Sequence, residues 1–387
     1  MAISNELRNM IGKVPLQPVW RIGASGRYYE DRRHWQTEPG AGVSINMSVN
    51  SAPTRIAEFS VMQNVGPHIA PEDTSVSELA SLPLSWVSIG AAKTEIEAGY
   101  VNPETGAPEY ERMGRYARTD YGFEGQEVHA AYASAEILLM TKIDLYLDVQ
   151  GHGGLLWPPG TTTPPSIRDW VQHIINEVER NAPPAVVQDH APTYSPTTAE
   201  GFGAGYGVNL WDAMTGVVQA AELRLYPDDE GVWHLRRPAI SKANPKASFS
   251  DVPGEANTIG PIVANYAYAD DMQAFIVKHE WTDAAGRQHV VRGRTGNWLI
   301  PNGGMVETRS EPTTQAGANA YAVSRLRAIS SAVDTVTFTA PMMPWLRPDE
   351  PIHVTRPGRA GLYFIMDINF DITSGTMEIT ARKGPDS

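Results

Sequence analysis

The sequence predicts a mainly β protein with α+β modules, and three stretches carry that prediction. From residue 316 to the C-terminus, a helix gives way to strand after strand separated by turns. Residues 43–49 and 55–62 alternate apolar and polar side chains and are joined by Asn50-Ser51-Ala52-Pro53, the pattern of a β-hairpin. Residues 208–237 read as helix, strand, acidic turn and returning strand, a common supersecondary packet.

At 387 residues the chain is long enough for two or three cores, and 42% hydrophobic with 19% charged residues is an ordinary globular composition. The absence of cysteine excludes disulfides and thiolate metal sites. The longest apolar run, residues 133–140, contains Glu136 and is too short to span a bilayer, so no membrane anchor is expected. The first residues lack the charged leader, apolar core and small-residue cleavage site of a secretory signal. With 31 basic against 44 acidic residues the formal charge is -13, and no Lys/Arg run supplies the basic footprint that specific nucleic-acid binding needs.

In chain order, residues 5–11 form a short helix, and 15–22 an edge strand because Pro15 and Pro18 lack ladder donors. After the 43–62 hairpin, residues 86–91 and 135–149 are expected as strands of the same sheet. Residues 95–128, dense in Gly, Tyr and Arg, form an extruded hairpin or loop with its turn at Asn102-Pro103-Glu104-Thr105-Gly106. Residues 151–160 (GHGGLLWPPG) break the periodicity and mark a boundary. Ser166 caps a helix with Asp169 at its third position and a stripe of Ile167, Trp170, Val171, Ile174, Ile175 and Val178. Residues 185–206 form a long Pro-rich loop.

The packet follows. Its helix buries Leu210, Trp211, Met214, Val217 and Val218, its strands are 222–226 and 232–237, and its turn is Pro227-Asp228-Asp229-Glu230-Gly231. Residues 241–257 form a linker, 262–269, 273–281 and 288–293 form strands, and 294–315 a surface loop. The helix at 316–330 docks one face through Ala318, Tyr321, Ala322, Leu326 and Ile329. Strand 333–340 ends at Pro341, residues 342–350 make a tight connection with an apolar plug, and strands 351–355, 361–370 and 376–382 complete the chain.

This order of parts, with the turn Pro344-Trp345-Leu346-Arg347-Pro348-Asp349, the strand GLYFIMDINFDI and the final strand TSGTMEITARK, resembles the C-terminal tube-forming domain of bacteriophage tail hub proteins. The packet closing on Leu235-Arg236-Arg237 resembles the one those proteins carry between two tube barrels, and Asn265 matches their re-entering strand. The resemblance implies two tube-forming β-barrel-like domains, 1–150 (with the insertion at 95–128) and 258–387, around an α+β module at 151–257. It further implies a structural, non-enzymatic hub at the tail tip of the virion, made in the host cytoplasm. Three copies would form a pseudo-sixfold ring continuing the tail tube. Expected partners are further copies, the distal tail protein, the tape-measure protein and other tip proteins, with DNA passing through the channel and no cofactor bound. Ten tryptophans support, as an alternative, a receptor- or carbohydrate-binding tip module.

The residues themselves assemble no catalytic or metal site. His152 lies among glycines without the further ligands zinc requires. His279 and His289 flank a predicted hairpin, where cross-strand packing suffices to explain them. Asp228-Asp229-Glu230 and Asp270-Asp271 sit at turns, where Asp bonds local backbone. Residues 201–207 are glycine-rich, but no strand precedes them as in a dinucleotide fingerprint.

Alternation defines the candidate functional surface. If Val336, Phe338 and Phe364 pack inward, then Thr335, Thr337 and Thr339, with Asp367, Asn369 and Asp371, face the other side. These six are the candidate lumen-facing residues, because small polar and acidic side chains repel rather than trap a phosphate backbone.

Overall fold

A computed structural model of the chain describes residues 3–24, 27–30, 42–62, 94–124, 127–141, 166–178, 186–188, 209–220, 223–236, 244–266, 274–282, 286–296, 304–309, 313–331 and 334–383. Expectations for 86–91, 142–160, 201–207 and Asp270-Asp271 fall outside them.

The fold is mainly β. Helix α1 (Asn5–Met10) is capped by Ser4, whose hydroxyl accepts from the Leu7 amide at 3.2 Å. The N-terminal strands are β1 (Pro18–Ala24), β2 (Arg27–Glu30), β3 (Gly42–Ser48), β4 (Arg55–Met62), β5 (Thr94–Val101), β6 (Pro108–Glu124) and β7 (Glu127–Ala133). The C-terminal ones are β16 (Asp334–Pro341), β17 (Pro351–Arg356), β18 (Arg359–Asp371) and β19 (Thr376–Lys383). Together with β11 (Ala247–Ser250) and β12 (Ile259–Tyr266) they form one 13-stranded sheet. Its main path runs β12-β16-β19-β18-β3-β4-β7-β6-β5-β1-β2 and does not close among the described residues.

The two ends of the chain meet where β18 pairs antiparallel with β3, Asn369 opposite Asn46. A single buried cluster extends across that seam, with Trp20 on Phe59 at 5.4 Å, Phe59 on Tyr132 at 5.5 Å and Phe249 on Phe338 at 4.8 Å. The apolar plug closes it: Met342 and Leu346 are fully buried, and the Tyr100 hydroxyl donates to the Met342 carbonyl at 2.8 Å.

Several expectations are corrected. Strand β1 is not an edge: it lies between β2 and β5, and Pro18 is tolerated as its first residue, opposite Tyr100. The 95–128 stretch is a hairpin, β5 with β6, but an integral part of the sheet rather than an extrusion. Ile96, Ala98, Tyr100, Met113 and Tyr116 are buried in the common core. Instead of a strand from 135, helix α2 (Glu136–Thr141) forms, because Glu, Leu and Met favour helix. The buried Glu136 carboxylate also accepts from the Thr54 amide at 3.2 Å and hydroxyl at 2.5 Å.

Helix α3 (Ile167–Val178) starts as read, with the Ser166 hydroxyl accepting from the Asp169 amide at 3.1 Å. The expected loop at 185–206 contributes β8 (Val186–Gln188), parallel to β10 (Trp233–Arg236); β10 pairs in turn with β9 (Arg224–Pro227). With α4 (Leu210–Ala220) these elements bury Trp170, Met214, Leu225 and Trp233 in a second cluster. The supposed linker at 241–257 contains β11, held parallel to β17.

Strand β12, which carries Asn265, lies in the large sheet, whereas β13 (Ala274–Thr282) leaves it. Strand β13 forms a separate three-stranded sheet with β14 (Gln288–Gly296) and β15 (Gly304–Arg309), which replaces the expected surface loop. Helix α5 (Gln315–Ser331) covers one face through Ala318, Tyr321 and Ala322 against Phe275 and Val277.

Candidate functional site

Strand β16 alternates as its sequence dictates: Val336, Phe338 and Ala340 are buried, while Thr335, Thr337 and Thr339 are half-exposed on the opposite face. Residues directly opposite in an antiparallel ladder share a side, so register carries this face from strand to strand. Thr337 faces Thr380, their hydroxyl oxygens 3.3 Å apart, and Thr380 faces Asp367, which faces Ser48. The adjacent row reads Ile259, Thr339, Glu378, Asn369, Asn46, Ile56. The next reads Thr376, Asp371, Ser44, Glu58, Ala131, Asp120.

All six lumen candidates therefore lie on one face of one sheet, and that face continues unbroken into the N-terminal strands. One premise behind them is corrected. Phe364 is buried but sits opposite Arg382, on the threonine side, whereas Ile365 sits opposite the core residue Ala381. The register then shifts between Ile365 and Asp367, and this β-bulge puts Asp367, Asn369 and Asp371 on the threonine side after all.

The face is acidic where the two halves join. Asp371, Glu58 and Asp120 line a shallow hollow of about 480 Å³ together with Ser44, Ser60 and His129. Glu378 and Asp367 flank it, and Arg382 sits beside Thr335 at the far end. Ser44, Asn46, Glu58 and Glu378 were not singled out from sequence. The alternation of 43–49 and 55–62 puts Ser44 and Asn46 on one side of β3, and Ile56 and Glu58 on one side of β4, but it does not say that β3 joins β18. Carboxylates, hydroxyls and amides lie along this face in rows and make a polar, negatively charged wall, with Ser60 opposite His129 at its N-terminal end.

A second polar arrangement holds the packet against the sheet. Of the acidic turn, Asp228 behaves as a turn residue, its carboxylate accepting from the Glu230 and Val232 amides, both at 2.9 Å. Asp229 does not: it lies 2.8 Å from an Arg55 nitrogen on β4 and 2.6 Å from Arg347 Nε in the Pro344–Asp349 turn. Arg224 of β9 pairs with Asp349, which adopts the left-handed backbone conformation at φ 68°. Arg347 also donates to the Arg112 carbonyl of β6 at 2.5 Å. Burial pushes the Asp229 carboxyl up, but Arg55 and Arg347 outweigh it and hold the group below the usual carboxylate range.

The histidines serve packing. His279 is buried edge-on to Tyr321 at 6.1 Å, and His289 stacks on Trp281 at 5.1 Å. They do not face each other, since His279 is opposite Val291. Among the described residues no group of three His, Asp or Glu side chains could hold a metal ion, and no helix is long and apolar enough to cross a membrane.

No protein-family model matches the chain, and no curated protein does. Solved structures do. The tail protein from Neisseria meningitidis MC58 aligns over 95% of this chain and 97% of its own, with a TM-score of 0.62 at 10% identity. The 43 kDa tail protein of prophage MuSo2 from Shewanella oneidensis covers 94% and 98%, with a TM-score of 0.56 at 13% identity. Prophage tail protein gp18 from Listeria monocytogenes EGD-e covers 95% and 95%, with a TM-score of 0.56 at 9% identity. The chain has the fold of these phage tail proteins over nearly its whole length.

Proposed function

We propose that the chain is a structural hub protein of a bacteriophage tail, three copies of which form a pseudo-sixfold ring that continues the tail tube at its tip. The observation that carries this reading is the polar face: Thr335, Thr337, Thr339, Asp367, Asn369 and Asp371 lie side by side and run on into Ser44, Asn46 and Glu58, in a chain with a tail-protein fold. Each copy supplies an N-terminal and a C-terminal half-wall, in a division of 1–150 and 258–387 around the module at 151–257, and three copies supply six. DNA passes the acidic wall without sticking, because like charge disfavours the phosphate backbone at every axial position.

The open sheet supports self-association. Its terminal strand β12 has no second neighbour among the described residues, and such an open edge is the kind that closed symmetry covers. The role is structural rather than enzymatic, and the distal tail protein, the tape-measure protein and other tip proteins are the expected neighbours. Native mass measurement of the purified protein tests the reading: a trimer supports it, and a monomer at every accessible concentration contradicts it.

A further inference from the structure

The large sheet is left at Tyr266 and re-entered at Asp334, and these two residues are opposite each other in the β12–β16 ladder. The elements between them, β13, β14, β15 and α5, therefore hang from one point beside the terminal strand β12. On the helix side Gly293 allows close approach, since a Cβ there would lie 2.0 Å from the Ala318 carbonyl oxygen. No helix among the described residues covers the other face. There Ile276 lies between Arg294 and Val306, Lys278 between Arg292 and Thr308, and Glu280 opposite Val290.

Val306 is 63% and Val290 50% accessible. Lys278 pairs with Glu280, whereas Arg292 and Arg294 are exposed and have no acidic partner among the described residues. Among the described residues three bases against one acid make this face positive, on a chain of formal charge -13.

We infer that this face of β13–β14–β15 docks against a second copy of the chain, whose formal charge of -13 it complements; the inference rests on the ring reading above and names a part of its subunit contact, apart from the polar face. Arginine beside exposed aliphatic side chains is the composition of a protein interface. Nucleic acid is the poorer occupant, because two cations release few counterions and, among the described residues, the face carries no aromatic ring for bases to stack on. Size decides the extent. Three strands about 4.8 Å apart and six residues long present roughly 300 Å², against about 800 Å² per partner in a stable contact. The lobe face thus forms one part of a wider interface, and the adjoining part is the edge of β12.

The test compares the wild-type chain with the double variant Arg292→Glu/Arg294→Glu and with Val306→Glu by sedimentation across concentration and salt, with circular dichroism as the folding control. Both variants alter exposed side chains and are expected to fold. Weakening of self-association by about tenfold or more in each, together with a salt-sensitive wild type, is the expected result. Association that both variants leave unchanged overturns the lobe contact while leaving the ring intact, whereas a wild type that never exceeds monomer mass overturns the ring reading and the lobe contact with it. A mobility shift of duplex DNA by the wild type, abolished in the double variant, overturns the protein occupant in favour of nucleic acid.

Discussion

Arg347 Nε lies 2.6 Å from Asp229 Oδ2, joining the Pro344–Asp349 turn of the C-terminal strands to the acidic turn of the central packet. The second pair, Arg224 with Asp349, runs from strand β9 of the packet to the same C-terminal turn in the opposite sense of charge. Two stretches 118 residues apart in sequence are thereby fixed to each other and, through Arg55, to β4.

Removing the shared carboxylate leaves two largely buried guanidinium groups without their counter-charge. Asp229→Asn is expected to destabilise the protein by about 2–4 kcal/mol, below the figure for a fully buried pair because Asp229 is partly exposed. Urea denaturation checks it, and a loss under about 0.5 kcal/mol, the level of an ordinary surface change, contradicts it.

The same group gives a pH dependence with a definite sign. Asp229 is held below its ordinary value, and so is Glu307, where burial is outweighed by the Tyr321 hydroxyl, Arg325 and Arg309. A depressed carboxyl contributes stability that is complete above its unfolded pKa of about 4 and is lost as pH falls through the folded value. Glu350, raised by burial, works in the opposite direction and loses its penalty on protonation. The denaturation midpoint is expected to fall below about pH 4, and less steeply in Asp229→Asn. An identical acid limb in wild type and variant refutes the assignment.

Gly293 is a packing position of the lobe. Gly293→Ala places a methyl group 2.0 Å from the Ala318 carbonyl oxygen, so α5 must shift, at a cost of about 1–3 kcal/mol. Hydrogen exchange is expected to show lost protection in 274–331 with the 13-stranded sheet unaffected. Unchanged protection in the lobe is the contrary result.

The β5–β6 hairpin separates a tolerant turn from an intolerant strand. Residues 103–107 are exposed, whereas Asn102 and Glu109 are buried and bonded to each other at 2.7 Å, and Glu109 also accepts from the Ser4 amide at 2.6 Å. Shortening the turn within 103–107 is expected to leave folding intact, and deleting 102–112 to abolish it, as read by soluble yield and circular dichroism. A folded 102–112 deletion contradicts the integral role of the hairpin.

Local chemistry was legible wherever it decided the outcome. The 43–62 hairpin, the Ser166 cap, the packet at 208–237 and the Val336/Thr337 alternation follow from period, cap and turn composition alone, and the structure reproduces them. Pairing between distant segments was not legible. Nothing in the composition of β3 says that Asn46 meets Asn369, and nothing in DDEG separates the turn-forming Asp228 from the ion-pairing Asp229. The bulge after Ile365 is likewise invisible to a strict count of two, which puts Phe364 on the core side although it lies opposite Arg382.

The central claim is that the polar face lines a channel in a ring of copies, and an experimental structure of the assembled tail tip tests it most directly. The account predicts a threefold assembly in which Thr337, Asp367, Asn369 and Asp371 face the axis, with Ser44 and Glu58 continuing the wall. Those side chains on the outer surface, or an Arg- and Lys-lined constriction in their place, would contradict it.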